Sequence, residues 1–234
     1  MRIHVKNMRG GLLSFFILAA SLLVVSFSFG QTTDLLLRSD DEVRGNPNAP
    51  VTLLEYSDFT CGYCEKFFHE TFPRLLTRYI DTGKVRFVYR DFPRSPSGPA
   101  LHSALAARCA GDQQAYWPMH DRLFNSGRKF DMFTLQEMAK DLDLDLDDFS
   151  ECLESQRHLE DIYQDRLEGG QLGIRGTPGF ILFLTDFSKG SEALFIPGAF
   201  PFEVFEEEIE KLLGKAQQNG SQPPSPASPQ VEGL

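Results

Sequence analysis

The sequence predicts an α/β fold whose sheet is interrupted by an all-helical insertion, and three observations carry that expectation. A strand-like run, Val51–Ser57, is followed by a helical pattern and a second alternating run, Val85–Asp91, which is the order of a βαβ unit. From about residue 99 to Gly169 no good strand pattern occurs, whereas 100–110, 113–126, 134–142, 147–155 and 158–168 each carry a helical one. Phe180–Leu184 then returns as a short, wholly apolar run of the buried-strand type.

The elements follow in order. Asn46-Pro47-Asn48-Ala49-Pro50 is a loop into the first strand. The helix after it places Phe68, Phe72, Leu75, Leu76 and Tyr79 on one face, and Pro73 inside the pattern predicts a kink. Asp81-Thr82-Gly83 ends that helix, and the breaker cluster Phe92–Pro99 opens the insertion. Pro118 predicts a start or kink in the second inserted helix. Gly169-Gly170 predicts the end of the helical block. Asp186–Gly190 is a turn, Ala193–Ile196 a partner strand, and Phe202, Phe205, Ile209, Leu212 and Leu213 mark a last amphipathic helix.

The two ends are expected to stand outside the fold. Arg2, Lys6 and Arg9 precede Leu12–Phe29, an uncharged, mostly apolar run, and Ser28-Phe29-Gly30 offers a cleavage site before Gln31. Residues 1–30 are therefore expected to be a signal peptide or, uncleaved, a signal anchor, because no charge occurs from Gly10 to Thr33. Either way the remainder is exported. Residues 31–46 are expected to be a linker, and 215–234, with Pro223, Pro224, Pro226 and Pro229 among Ser, Gln and Gly, a disordered tail. The folded parts are then 47–92 with 171–214, and the helical insertion 93–170.

The chain has 234 residues, 23 Lys plus Arg against 33 Asp plus Glu, and a net charge of −10. That balance argues against nucleic acid as a partner, since phosphate contacts need clustered Lys and Arg. After residue 30 no apolar stretch is long enough for a further membrane span. Four cysteines are too few for a disulfide scaffold but form an even number.

Cys61-Gly62-Tyr63-Cys64 closely follows a strand and opens a helix. That position puts Cys61 at a helix N-terminus, where free N–H groups and the macrodipole favour a thiolate. A free thiol titrates near about 8.5, and such sites bring it to roughly 3.5–7.5. Cys61 is thus the expected exposed nucleophile and Cys64, one turn in, the shielded resolving thiol. Glu55 lies in phase with Val51 and Leu53, so an acid on an apolar face is expected to have a raised pKa and to accept the Cys64 proton through water. Its alternative is an edge-strand acid pointing at solvent. Thr177-Pro178 enters a buried strand, where Pro is confined to the first residue or an edge. A cis bond there would bring the Thr177 backbone beside the Cys61 sulfur.

Asn48-Ala-Pro-Val51, Glu55-Tyr-Ser-Asp-Phe-Thr-Cys-Gly-Tyr-Cys64, Phe87-Val-Tyr-Arg-Asp-Phe-Pro93 and Gly173-Ile-Arg-Gly-Thr-Pro-Gly-Phe180 together resemble the DsbA-like branch of the thioredoxin superfamily. The resemblance spans about residues 45–213. It implies a thioredoxin fold with an inserted all-helical subdomain, Cys61 and Cys64 as the redox-active pair, and a cis Pro178. It also implies a peptide groove and a membrane-bound redox partner, a quinone-linked oxidase or an electron donor. Substrates would be unfolded or reduced exported proteins in a bacterial periplasm or at the outer membrane face. A monomer is expected, and the chemistry needs no metal or organic cofactor. The dipeptide Gly62-Tyr63 departs from the Pro-His of the strongest oxidases and resembles that of the periplasmic isomerases. Those carry a separate dimerisation domain, for which about 20 residues between signal and first strand are too few. An oxidase is therefore favoured. The alternatives are an isomerase or reductase kept reduced by a membrane donor, and a redox-inert, chaperone-like binding module.

Cys109 and Cys152 both fall in the helical block, and in an oxidising compartment a structural disulfide between them is expected, with two buried thiols as the alternative. The acidic run Asp141–Asp148 is read as a helix end, a turn and an acidic first turn, since Asp148 stands where a calcium loop needs Gly. His102, His120 and His158 share no spacing. Trp117, Phe124 and Phe133 are expected in the core. His69 is a weak candidate for biasing charge near the site, and Arg90 is a candidate cationic partner for Glu55.

Overall fold

The computed structural model describes residues 36–128, 130–186 and 193–220. The stretches read as signal peptide or anchor (1–30) and the final part of the tail (221–234) lie outside the described residues, as does the turn 187–190. Among the described residues no helix is long and apolar enough to cross a membrane.

The sheet has five strands in the order β1-β3-β2-β4-β5, with β1 Glu42–Arg44, β2 Val51–Ser57, β3 Val85–Asp91, β4 Gly179–Leu184 and β5 Leu194–Pro197. Only β2 and β3 run parallel; the other pairs are antiparallel. β2 sits at the centre and is buried along its whole length. This explains its apolar composition, because both of its faces are covered. Alternation along β2 sends Val51, Leu53 and Glu55 into the larger core, and Leu54 and Tyr56 into a smaller one behind the sheet.

The helices are α1 Gly62–Glu70, α2 Phe72–Leu75, α3 Pro99–Gly111, α4 Tyr116–Asn125, α5 Met132–Asp141, α6 Leu146–Ser155, α7 Leu159–Gln171 and α8 Phe202–Gly220, and a π-helical turn at Leu76–Ile80 follows α2. Helices α3–α7 form the insertion between β3 and β4. Its seam with the sheet is aromatic: Phe59, Tyr89, Phe124 and His120 meet with ring centroids 4.9–6.4 Å apart. Trp117 of α4 joins this seam, donating from Nε1 to the Val43 carbonyl at 3.1 Å and packing against Phe87 and the Arg44 guanidinium.

Several expectations need correction. The stretch 31–46 is not wholly a linker, because β1 lies in it and pairs with β3. The same stretch carries Arg38 and Asp41 into a buried ionic network. Arg38 bonds Asp165 and Glu168, Arg90 bonds Asp41 twice, and Arg108 bonds Asp91 and Asp165. Burial raises the Asp91 and Asp165 carboxyls despite these arginines. Pro73 does more than kink a helix: α1 stops at Glu70, and Pro73 lies in the first turn of the separate α2. Gly169-Gly170 does not end the block, since α7 continues to Gln171. Gly169 is instead a packing residue, because a Cβ there would lie 2.8 Å from the Tyr56 ring. The last helix runs six residues into the stretch read as tail. Phe133 is 73 % exposed rather than in the core, whereas Phe124 is buried.

Cys109 of α3 and Cys152 of α6 form a disulfide with 43 residues of separation. Closing a loop of that size in the unfolded chain contributes roughly 2–4 kcal/mol. Replacing both by Ala is expected to lower the unfolding free energy by that amount in urea titrations; an unchanged midpoint would refute this.

Candidate active site

The site is built where β2 ends and α1 begins. Ser57 closes the strand, and Asp58-Phe59-Thr60 turns the chain into Cys61, the extended N-cap residue of α1. Asp58 makes that turn rigid. Its buried carboxylate accepts from Thr60 N at 2.7 Å, Thr60 Oγ1 at 2.6 Å, Arg94 N at 2.8 Å and Arg94 Nε at 3.2 Å. Its carbonyl accepts the Cys61 N–H at 2.9 Å. Neither Asp58 nor Arg94 was singled out from the sequence. The Asp two residues before Thr60 is an Asx-turn signal that could have marked this position.

Cys61 and Cys64 are both free thiols and both buried, so Cys61 is not the exposed sulfur expected: it is 4 % exposed, packed at the helix cap against Thr177. The Cys61 pKa is lowered to about 5, first by the hydrogen bond from the Cys64 thiol, and further by Thr177 and the backbone N–H groups of Cys64 and Tyr63; burial opposes these. A helix N-cap leaves just such N–H groups free to receive a thiolate. Cys64 is fully buried, and desolvation pushes its pKa well above the ordinary value, with the Cys61 hydrogen bond acting in the same direction. Two thiols one turn apart are thus driven in opposite directions.

The Thr177–Pro178 peptide is cis, and the Cys61 sulfur lies 3.4 Å from the Thr177 carbonyl oxygen. The Thr177 hydroxyl is buried without a full hydrogen bond. Glu55 is 3 % exposed on the central strand, not on an edge, and burial raises its pKa to about 8, with Ser57 opposing. Its neighbour in the sheet is Tyr89, also buried, whose hydroxyl has no partner. The structure therefore gathers Glu55, Cys61, Cys64, Thr177 and Pro178 in one place. Gly62 and Tyr63 lie at the surface, and Tyr63 is 69 % exposed. Tyr63, Thr177, Pro197, Gly198, Ala199 and Phe200 line a cleft of about 270 Å³ beside Cys61. Arg128, from the loop after α4, lies over the first turn of α1 and pairs with Glu65 at 3.3 Å.

Other candidates fall elsewhere. Arg90 is not a partner of Glu55: it faces the back of the sheet, where it bonds Asp41 and donates to the Tyr56 hydroxyl at 3.0 Å. Strand phase explains this, because Arg90 stands opposite Tyr56 and Tyr89 stands opposite Glu55. His69 is exposed at the far end of α1. His120 is buried, which lowers its pKa. Asp145 caps α6 by accepting from the Asp147 and Asp148 N–H groups. Among the described residues the single cluster with metal-ligand spacing is Cys109, Cys152 and His158, and its two thiols are tied in the disulfide.

A strand ending in a helix-capping Cys-x-x-Cys, faced by a cis-proline loop, defines the thioredoxin class of dithiol proteins. Residues 38–191 match the family described as thioredoxin, and the chain belongs to that family, in its DsbA-like branch. Its fold superposes on the crystal structure of alpha-DsbA1 from Wolbachia pipientis with a TM-score of 0.69 and 30 % identity, covering 81 % of this chain and 99 % of that one. The probable disulfide bond formation protein D of Bacillus anthracis is 26 % identical over 156 residues, 62 % of this chain and 70 % of that protein. The Na(+)/H(+) antiporter NhaA 3 of Salinispora tropica is 37 % identical over 153 residues, 64 % of this chain. The chain spans only 23 % of that antiporter's length.

Proposed function

We propose that this chain is an exported thiol:disulfide oxidoreductase that forms disulfides in proteins outside the cytoplasm. The observation that carries the reading is the divided pair: Cys61 held near pKa 5 at a helix cap, and Cys64 buried and pushed well up. A substrate thiolate attacks the Cys61 sulfur of the Cys61–Cys64 disulfide, and Cys64 leaves. Cys64 is a poor leaving group as a thiolate, and Glu55, a carboxylic acid up to a pH of about 8, is the proton source for it. A second substrate thiolate then attacks the substrate sulfur of the mixed disulfide. Cys61 departs as a stable thiolate, the substrate gains a disulfide, and the enzyme keeps two electrons. A membrane-bound redox partner is proposed to remove them. The exposed cleft beside Tyr63 and Thr177 supplies room for an extended peptide, and no resident metal or organic cofactor takes part.

The reduction potential tests this. A thiolate pKa near 5, against about 7 in thioredoxin, stabilises the reduced form at pH 7 by about 2 kcal/mol more, which is about 50 mV. The expected value is therefore about −220 mV, above the thioredoxin level of about −270 mV. Equilibration of a Cys109→Ala, Cys152→Ala variant in glutathione buffers measures it. A value at or below about −270 mV would favour the isomerase or reductase reading that the Gly62-Tyr63 dipeptide also suits.

A further inference from the structure

We propose that the Ser57 hydroxyl is the relay that carries the proton between the Cys64 thiol and the Glu55 carboxyl; this rests on the thiol–disulfide reading above. Strand alternation places Glu55 and Ser57 on the same face of β2 as Val51 and Leu53, the face that shares the larger core with Cys64 in the first turn of α1. Ser57 is 1 % exposed and Cys64 is 0 % exposed, so bulk water does not reach the thiol. Yet Cys64 must gain a proton when it leaves the disulfide and lose it when it attacks.

The Ser57 hydroxyl meets no full hydrogen-bond partner, an uncommon state for a buried polar atom. It favours the ionised form of both Glu55 and Cys64. One hydroxyl carries one proton, so it donates to one of these groups and accepts from the other. The remaining groups facing this spot do not compete. Cys61 is the thiolate partner, Tyr89 of β3 is held as a phenol because burial pushes it well up, and burial keeps His120 of α4 neutral.

The step balances. Ser57 gives its hydroxyl proton to the departing Cys64 sulfur and takes the Glu55 proton onto its oxygen. Glu55 ends as a carboxylate, Cys64 as a thiol, and Ser57 is unchanged. Attack by Cys64 runs the same transfers backwards.

The test uses the reduced full chain with its Cys109–Cys152 disulfide intact, mixed with oxidised glutathione and followed by acid quench and mass spectrometry. Cys61 first forms a glutathione adduct, releasing one glutathione, and Cys64 then closes the disulfide, releasing the second. Ser57→Ala is expected to leave adduct formation within about twofold, which also reports an intact site, and to slow closure about tenfold or more. Combined with Glu55→Gln, it is expected to add no further slowing, because relay and acceptor act as one unit. Closure at the wild-type rate in Ser57→Ala overturns the relay, and so does a double variant whose two effects multiply. Failure of the wild-type chain to form either the glutathione adduct or the Cys61–Cys64 disulfide would instead remove the thiol–disulfide reading, and the relay with it.

Discussion

Cys61→Ser is expected to abolish disulfide transfer to a reduced model protein, with less than about a thousandth of wild-type turnover remaining, because a hydroxyl cannot form the mixed disulfide. Cys64→Ser is expected to behave differently. Its Cys61 still attacks disulfides, but nothing resolves the product, so covalent adducts with substrate accumulate on non-reducing gels. The asymmetry follows from the site. Cys61 sits at the helix cap against Thr177, and Cys64 is sealed beneath it. Appreciable turnover by Cys61→Ser would mean that this sulfur is not the exchange point and would return the chain to the class of redox-inert binding modules.

Glu55→Gln is expected to change how stability responds to pH. Burial raises the folded-state pKa of Glu55 from 4.5 to about 8. Its stabilising contribution is therefore fully present below the unfolded value and is lost as pH rises through about 8. At 1.36 kcal/mol per unit, the full span is about 5 kcal/mol. In the reduced protein Cys61 runs the other way, since its pKa falls to about 5: that stabilisation is present above the unfolded value and is lost as pH falls through about 5. Oxidation removes the Cys61 titration and leaves that of Glu55. Urea unfolding of the oxidised protein is thus expected to weaken by several kcal/mol from pH 5 to 9, and the Gln variant to weaken far less. Parallel curves for the two proteins would show that Glu55 does not hold a proton at neutral pH.

Much of the site was legible because its chemistry is local. The cysteine spacing, the strand before it and the phase of Glu55 all lie within the single stretch Val51–Cys64. The strands β2, β3 and β4 were legible for a similar reason, being runs long enough to show alternation or sustained apolarity. What escaped depended on distant partners. β1 has three residues and gains its identity only by pairing with β3. Gly169 resembles a helix terminator until Tyr56 is seen packed against it. Arg90 shares a strand with Tyr89, and only the register shows that Tyr89, not Arg90, faces Glu55. Ser57 and Asp58 are ordinary polar residues in sequence. Their weight comes from burial, and for Asp58 from a reach across to Arg94. Phe133 shows the converse, an apolar side chain with no place in the core.

The aromatic seam has a consequence for optical work. Trp117 is the chain's single tryptophan, and it sits where the inserted helices meet β1 and β3, touching Phe87, Tyr116 and His120 rather than the cysteines. Its fluorescence is an intrinsic gauge of whether insertion and sheet are docked. A shift in emission on heating would time the parting of those two layers, while the dithiol would need a label of its own.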